Sequence, residues 1–262
     1  MFGICNLSVV PCRLEPSDRS EMVTQLLFGE SFDIIETTEK WAKIKTHYDG
    51  YECWIDKKQF LIADEKQIAT SKNNKFLSTD LLQIITNKAT QTVFPIMLGS
   101  TLPSFLSNEC KIGNQTFVFD GPTVPEIQKN KSKKYTRESI CETAMLLVNA
   151  PYLWGGRTAL GIDCSGFSQL IYKLNGIMLL RDAYQQAQQG TTLSFIEEAE
   201  PGDLAFFDNE DGKIIHVGIM LNEQQIIHAS GCVRIDKLDH FGIFNEQTQK
   251  YSHRLRIIKS LI

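Results

Sequence analysis

The spacing of hydrophobic residues divides the chain into three stretches. Over residues 1–62 apolar and polar positions alternate, as in Phe32-Asp33-Ile34 and Ala42-Lys43-Ile44-Lys45, and Tyr51-Glu52-Cys53-Trp54-Ile55 is an aromatic and β-branched run. Period-two alternation sets one face of a strand against a core and the other in water. Asp49-Gly50 separates two of these runs and predicts a hairpin. Several short strands in so short a stretch predict a small β-barrel. Residues 76–120 have the same texture, with runs at 81–86, 92–97 and 115–119, the last after Gly113-Asn114. They predict a second, divergent β module. Residues 63–75 are polar and charged, and 121–134 bring Gly121-Pro122, Pro125, Lys129, Lys131, Lys133 and Lys134. Both segments predict linkers.

The third stretch, 131–262, changes period. Ile140, Ala144, Leu147 and Val148 form an apolar stripe at helical spacing, predicting a helix over 136–149. Thr136 is followed three residues later by Ser139, so a full capping box is absent. Phe167, Leu170, Ile171 and Leu174 repeat at i, i+3, i+4 and i+7, and Asn175-Gly176 supplies a C-terminal stop. That helix begins close to Cys164. Further on, 214–221 and 225–230 read as two strands of a hairpin.

Composition narrows the classes of function. Hydrophobic residues make up 42% and charged residues 22%, which is ordinary for a globular chain. Lys and Arg number 27 against 31 Asp and Glu, a net charge of −4, which argues against a broad nucleic-acid footprint. No apolar run approaches the ~18 residues that span a bilayer, so no membrane partner is expected. The N-terminus, Met1-Phe2-Gly3-Ile4-Cys5, carries no basic region and no small-residue cleavage site. Cysteines stand at 5, 12, 53, 110, 141, 164 and 232, an odd number with no Cys-x-x-Cys pair. They read as reduced thiols, and with the missing leader they point to the cytoplasm. A leader removed upstream would leave the same start and point instead to the periplasm or to export.

One of the seven is placed for chemistry. A thiol at a helix N-terminus sees the positive end of the helix dipole, which favours thiolate. Asp163 beside it opposes this by like charge. A nucleophilic Cys also needs a base, and His216 and His228 sit in the two hairpin strands. Parity decides whether they meet. A three-residue loop 222–224 pairs Leu221 with Gln225, sets Gly218 opposite His228 and puts both histidines on one face, roughly 7–8 Å apart on the diagonal. A two-residue loop puts them on opposite faces. With the odd loop, one imidazole takes the thiol proton while the other orients it. A zinc site built from His228 and Cys232 with His216 or Cys164 is the competing reading, weakened by the absence of close knuckle spacing.

These residues resemble a known family. Tyr152-x-Trp154-Gly155-Gly156, followed by Asp163-Cys164-Ser165-Gly166-Phe167, is similar to the nucleophile motif of the NlpC/p60 cysteine peptidases. Pro201-Gly202-Asp203-Leu204-Ala205-Phe206-Phe207, His216-Val217-Gly218-Ile219 and Ile227-His228-Ala229-Ser230 resemble the strands around its base and third catalytic position. The segment 20–30 and Gly50-Tyr51-Glu52-Cys53-Trp54-Ile55 resemble the bacterial SH3-like domain of the family's recycling branch. The resemblance implies an α+β fold: a papain-like catalytic domain over 131–262 preceded by SH3-like β-barrels over 1–62 and, loosely, 76–120. It implies a γ-D-glutamyl-L-diamino-acid endopeptidase acting on murein peptides with a free N-terminal L-Ala, as a monomer without metal or cofactor. Cys164, His216 and His228 become the catalytic residues. Tyr152, Asp163, Ser165, Glu21, Tyr51, Arg181 and Asp182 become substrate-binding, with Asp163 and Glu21 pairing with the substrate ammonium. Cys53, where Gly is usual, and Ala183, where some relatives carry Ser, depart from the pattern. A cysteine amidase or acyltransferase of the same fold and a non-catalytic wall-binding protein are the alternatives.

Overall fold

The computed structural model describes residues 1–71, 74–126 and 136–262, which fall into two compact units, 1–128 and 129–262. Lys72, Asn73 and the lysines at 129–134, assigned above to linkers, lie outside the described residues, as does the expected domain start at 131.

The first unit opens with seven strands: β1 (Phe2–Ile4), β2 (Val9–Arg13), β3 (Met22–Leu27), β4 (Ser31–Thr37), β5 (Trp41–Thr46), β6 (Glu52–Asp56) and β7 (Leu61–Ala63). They pair antiparallel in the order β3-β2-β6-β5-β4-β1-β7. Asp49-Gly50 lies in the β5–β6 hairpin, where the Thr46 N–H donates to the Tyr51 carbonyl at 3.0 Å. Val10, Leu26, Phe32, Ile44 and Ile55 fill the core together with Cys5, Cys12 and Cys53. Cys53 therefore serves as a small apolar filler.

The segment 63–75 is not simply a linker. It holds helix α1 (Glu65–Ser71), whose Ile68 is buried in a core shared by both halves of the unit. Strands β8 (Phe76–Ser78), β9 (Leu82–Asn87), β10 (Val93–Met97), β11 (Thr101–Leu102), β12 (Glu109–Ile112), β13 (Gln115–Val118) and β14 (Thr123–Pro125) follow. They form a four-stranded sheet, β10-β9-β13-β12, and a three-stranded one, β11-β8-β14. Ile4, Phe28 and Ala63 from the first half pack with Ile85, Ile96, Leu102 and Phe117 from the second. The seam is tight at Gly29, whose φ is 79° and where a Cβ would lie 1.9 Å from the Thr101 carbonyl oxygen. Only glycine fits there.

The second unit begins with helix α2 (Arg137–Met145), capped by Thr136 as far as a single Ser139 N–H at 3.1 Å. It is shorter than the 136–149 expected, because turns replace helix after Met145. A two-strand ribbon, β15 (Arg157–Thr158) and β16 (Gly161–Ile162), leads into helix α3 (Cys164–Leu174), which stops at Asn175-Gly176 as the sequence predicts. Helix α4 (Ala183–Gln186) and strands β17 (Thr191–Leu193), β18 (Leu204–Asp208), β19 (Ile214–Asn222), β20 (Gln225–Ser230), β21 (Cys232–Asp239), β22 (Gly242–Asn245) and β23 (Lys250–Ser260) complete it. Strands β23-β18-β19-β20-β21-β22 run in that order and β22 pairs back to β23, so the sheet closes on six strands, with β17 added to β23. Closure removes the open edges that a sheet otherwise has to protect. Ala205, Phe207, Met220, Ile226, Leu238, Ile243 and Ile258 form one core cluster. Helix α3 packs against β19 and β20, where Val217, Ile219, Ile227 and Ala229 are also buried.

The hairpin register came out as expected by a different route. Gly218 is opposite His228, but the turn pairs Asn222 with Gln225 and leaves Leu221 as a bulge. A two-residue loop alone reverses parity; one bulged residue restores it.

Candidate active site

The site starts from how α3 begins. Asp163 is its N-cap, with Oδ1 accepting the Gly166 N–H at 2.6 Å. Gly166 has to be glycine, since a Cβ there would lie 2.3 Å from the Gly156 carbonyl oxygen. This close approach brings the 155–156 loop onto the helix end, and the Gly155 N–H donates to Asp163 Oδ2 at 2.8 Å. Both carboxylate oxygens also take the buried guanidinium of Arg181: Nη1 donates to Oδ1 at 3.1 Å and Nη2 to Oδ2 at 2.6 Å. Arg181 Nη1 further donates to Ser165 Oγ at 2.9 Å. Gln186 on α4 braces the same turn, its Nε2 donating to the Ser165 carbonyl at 3.0 Å and its Oε1 accepting from Ser168 Oγ at 2.7 Å. Asp163, expected at a substrate ammonium, is thus already matched by an internal cation in a bidentate pair. Ser165 is likewise engaged within this cluster.

Cys164 takes the first position of the helix and is buried. Burial and then the Asp163 charge push its thiol up, to about 12, against the pull of the Val217 N–H, Arg181 and the Ser165 N–H. The helix terminus therefore does not win outright: the resting sulfur keeps its proton. Val217 directly follows His216, so the sulfur lies against the base-bearing strand. Burial holds His216 well below the ordinary imidazole range, with His228 and then His253 adding to the effect. At neutral pH the pair is a thiol beside a neutral imidazole. Charge separates between them only when a substrate carbonyl draws the sulfur forward.

His216 Nε2 lies 2.8 Å from His228 Nδ1, and His228 Nε2 lies 3.0 Å from Asp236 Oδ2. Tyr152 is set by a hydrogen bond from its N–H to the Gly231 carbonyl at 3.0 Å. Burial, followed by the neighbouring Cys164 and Asp163, raises its hydroxyl above the ordinary range despite Arg181, so it stays protonated and able to donate. A thiol, a neutral imidazole and a protonated phenol together suit acyl transfer.

Residues 149–252 match the model of the NlpC/P60 family, and 13–60 match that of the bacterial dipeptidyl-peptidase Sh3 domain. A γ-D-glutamyl-L-lysine dipeptidyl-peptidase of Bacillus subtilis is 30% identical over 219 residues, covering 79% of this chain and 71% of the relative. The chain belongs to the NlpC/P60 family. Dipeptidyl-peptidase 6 of Lysinibacillus sphaericus is 27% identical over 235 residues, 82% of this chain and 83% of that one. An NlpC/P60 family protein from Bacillus cereus shares the fold at a TM-score of 0.83 over 99% of both chains, with 19% identity. With peptidase relatives along most of its length, the chain is an NlpC/P60 peptidase.

In this NlpC/P60 peptidase Cys164, His216, His228, Tyr152, Asp163, Ser165, Arg181 and Asp182 all lie in the second unit. Asp182 is half-buried at the start of α4, its N–H donating to Gln185 Oε1 at 3.0 Å. Glu21 and Tyr51 belong to the first unit. Glu21 is exposed just before β3, its carbonyl accepting from the Leu14 N–H at 2.9 Å, and Tyr51 closes the β5–β6 turn. Two residues were missed. Asp236 ends the histidine chain, and His253 on β23 stacks on His216 with ring centroids 4.1 Å apart and planes 23° apart. The zinc reading meets a chemical obstacle, because both ring nitrogens of His228 are engaged in hydrogen bonds. None of the seven cysteines is in a disulfide, Cys232 included.

Proposed function

We propose that the chain is a cysteine endopeptidase that hydrolyses the bond between γ-D-Glu and a diamino acid in murein peptides with a free N-terminal L-Ala. What carries this reading is the buried thiol at the start of α3 beside a neutral His216 that is itself hydrogen-bonded to His228. The printed activity of the Bacillus subtilis relative supports the choice of bond. His216 takes the Cys164 proton as the sulfur attacks the γ-carbonyl of D-Glu. The Cys164 N–H and the Tyr152 hydroxyl hold the oxyanion; losing one such donor typically costs ~10²–10³-fold in turnover. His216 then protonates the leaving amine, giving a thioester, and afterwards activates the water that releases L-Ala-γ-D-Glu. His228 orients His216 and shares the charge it acquires. Asp163 acts by seating Arg181 and the helix end, and Asp182 at the start of α4 is assigned to the ammonium. The reaction is assigned to the cytoplasm, as a step of cell-wall recycling, a placing supported by seven cysteines outside any disulfide.

The test is mass spectrometry of L-Ala-γ-D-Glu-meso-diaminopimelate, its L-Lys counterpart and their N-acetylated twins. Release of L-Ala-γ-D-Glu from free-amine peptides alone, lost in Cys164→Ala, is the expected result. Equal cleavage of the acetylated twins removes amine recognition, and no cleavage of any peptide sinks the endopeptidase reading. Asp182→Asn and Glu21→Gln, compared on the two peptide series, sort the carboxylates assigned to the amine.

A further inference from the structure

Four groups lie in a row behind the thiol: His216, His228, Asp236 and Arg234. His228 is held at both nitrogens, with Nδ1 2.8 Å from His216 Nε2 and Nε2 3.0 Å from Asp236 Oδ2. Arg234 Nη2 donates to Asp236 Oδ1 at 2.8 Å, and its Nε is 2.7 Å from Oδ2. The row is buried up to its last member: His228 is 1% exposed and Asp236 9%, while Arg234 is partly exposed. Burial opposes charge on Asp236, but the hydrogen bonds from His228 and Arg234 outweigh it and keep the carboxyl below its ordinary value.

We propose that Asp236, fixed by Arg234, is a positioning residue that dictates which ring nitrogens of His228 and His216 carry protons, and so leaves Nδ1 of His216 free to act as the base. A carboxylate can only accept, so His228 Nε2 must carry its hydrogen. With one proton on each ring, His228 Nδ1 is a bare lone pair and accepts. His216 Nε2 then carries its hydrogen, and the nitrogen left without one is Nδ1. Without the carboxylate the same two rings, with the same number of protons, can be arranged in reverse. His228 Nδ1–H then donates to His216 Nε2, and His216 presents its own N–H, on Nδ1, where a base is needed. One negative charge two hydrogen bonds beyond the base decides between an active and an inactive isomer.

The groups facing this row are few. His216 meets His228 and the stacked ring of His253, and the Val217 N–H next to it in the strand reaches the Cys164 thiol. His228 meets His216, Asp236 and the His253 ring at 5.8 Å. His253 Nδ1 is 2.9 Å from Ser252 Oγ, outside the row.

The inference rests on His216 being the base for Cys164, but not on the identity of the substrate, and its test uses readouts that need none. In Asp236→Asn the amide oxygen is drawn to Arg234, a pure donor, so the amide NH₂ turns to His228 Nε2 and imposes the reversed order. Expected are ¹⁵N ring shifts moving from Nε2–H to Nδ1–H tautomers in both histidines, and a fall in turnover of about 10²–10⁴-fold with KM little changed. Iodoacetamide alkylation of Cys164, followed on its own peptide across pH, falls in parallel. In the double variant Arg234→Met with Asp236→Asn, the amide is free to turn its oxygen to His228 and part of the activity returns. Asp236→Glu, which keeps the acceptor, retains more than the Asn variant. A wild-type His216 protonated at Nδ1, or an Asn variant with unchanged tautomers and alkylation, overturns the proposal. Should the Asn variant not fold, the wild-type tautomers and the Glu variant decide alone. If no murein peptide is cut while the tautomers and alkylation shift as described, the substrate reading fails and this one stands.

Discussion

Around the Cys164 sulfur lie two polar networks of opposite kind. On one side Asp163, Arg181, Ser165 and Gln186 form a cluster in which a full cation meets a full anion and backbone N–H groups complete the carboxylate. On the other, the imidazoles of His216 and His228 lead in a hydrogen-bonded row to Asp236, a carboxylate held by Arg234 at the far end. The first has no easily transferred proton, so it can hold geometry but not take part in acid–base steps. The second can transmit a proton, but it must rely on the barrel walls to stay in line. Burial thus serves two purposes at one site. It makes an ion pair rigid in one network, and it keeps the His216 imidazole uncharged in the other.

The contrast can be broken at either network. The largest effect is expected for His216→Gln, whose amide can still donate to His228: turnover falls ~10⁴-fold or more while the unfolding midpoint stays close to wild type. Residual activity near the wild-type level would mean the row transmits nothing. Next comes Arg181→Met. It leaves Asp163 buried and uncompensated, and urea unfolding is expected to show a loss of ~3–5 kcal/mol. Arg181→Lys recovers only part of this, because an ammonium cannot match both carboxylate oxygens. Wild-type stability in the Met variant would show that the cluster holds nothing.

Acid titration separates the networks more gently. Burial lowers the pKa of both His216 and His253, His253 to about 4. Below the ordinary imidazole value of ~6.5 the unfolded chain therefore binds more protons than the folded one. Stability contributed by these rings is complete above that pH and declines as the pH falls towards 4, the His253 part levelling off there. Unfolding curves at pH 7, 6 and 5 should show this slope, and His253→Phe, which keeps the stack without the titration, should reduce it. The smallest expected change is for Ser165→Ala. One hydrogen bond to Arg181 is lost, for ~1 kcal/mol, with the rest of the cluster intact.

What could be read from the sequence was whatever is local or periodic. The start of α3, the stop at Asn175-Gly176 and the shared face of His216 and His228 all follow from spacing over a dozen residues or fewer. Helix α1 was hidden because only Ile68 and Ser71 are buried, so its sequence looks like solvated connector. Asp236 was missed because it stands eight residues beyond His228 and returns to it only through the pairing of β20 with β21. Its alternation with Arg234 was the available clue: two opposite charges at i and i+2 on one strand share a face and can act together on a neighbouring strand. His253 had no such clue, since it reaches His216 only when β23 closes the barrel. The pairing of Asp163 and Ser165 with Arg181 was not legible either, because no spacing rule supplies the partner of a fully buried cation.

The bulged Leu221 has a consequence for how this hairpin tolerates changes in length. A strand pair keeps count modulo two, and the two imidazoles meet only on one value of that count. An insertion or deletion of one residue at the 222–225 turn is therefore either absorbed by the bulge or read as a phase error that sends one histidine to the opposite face of the sheet. Changes of two residues keep the phase. The turn is a surface loop by every local measure, yet its permitted lengths are quantised by a contact between two rings several residues away.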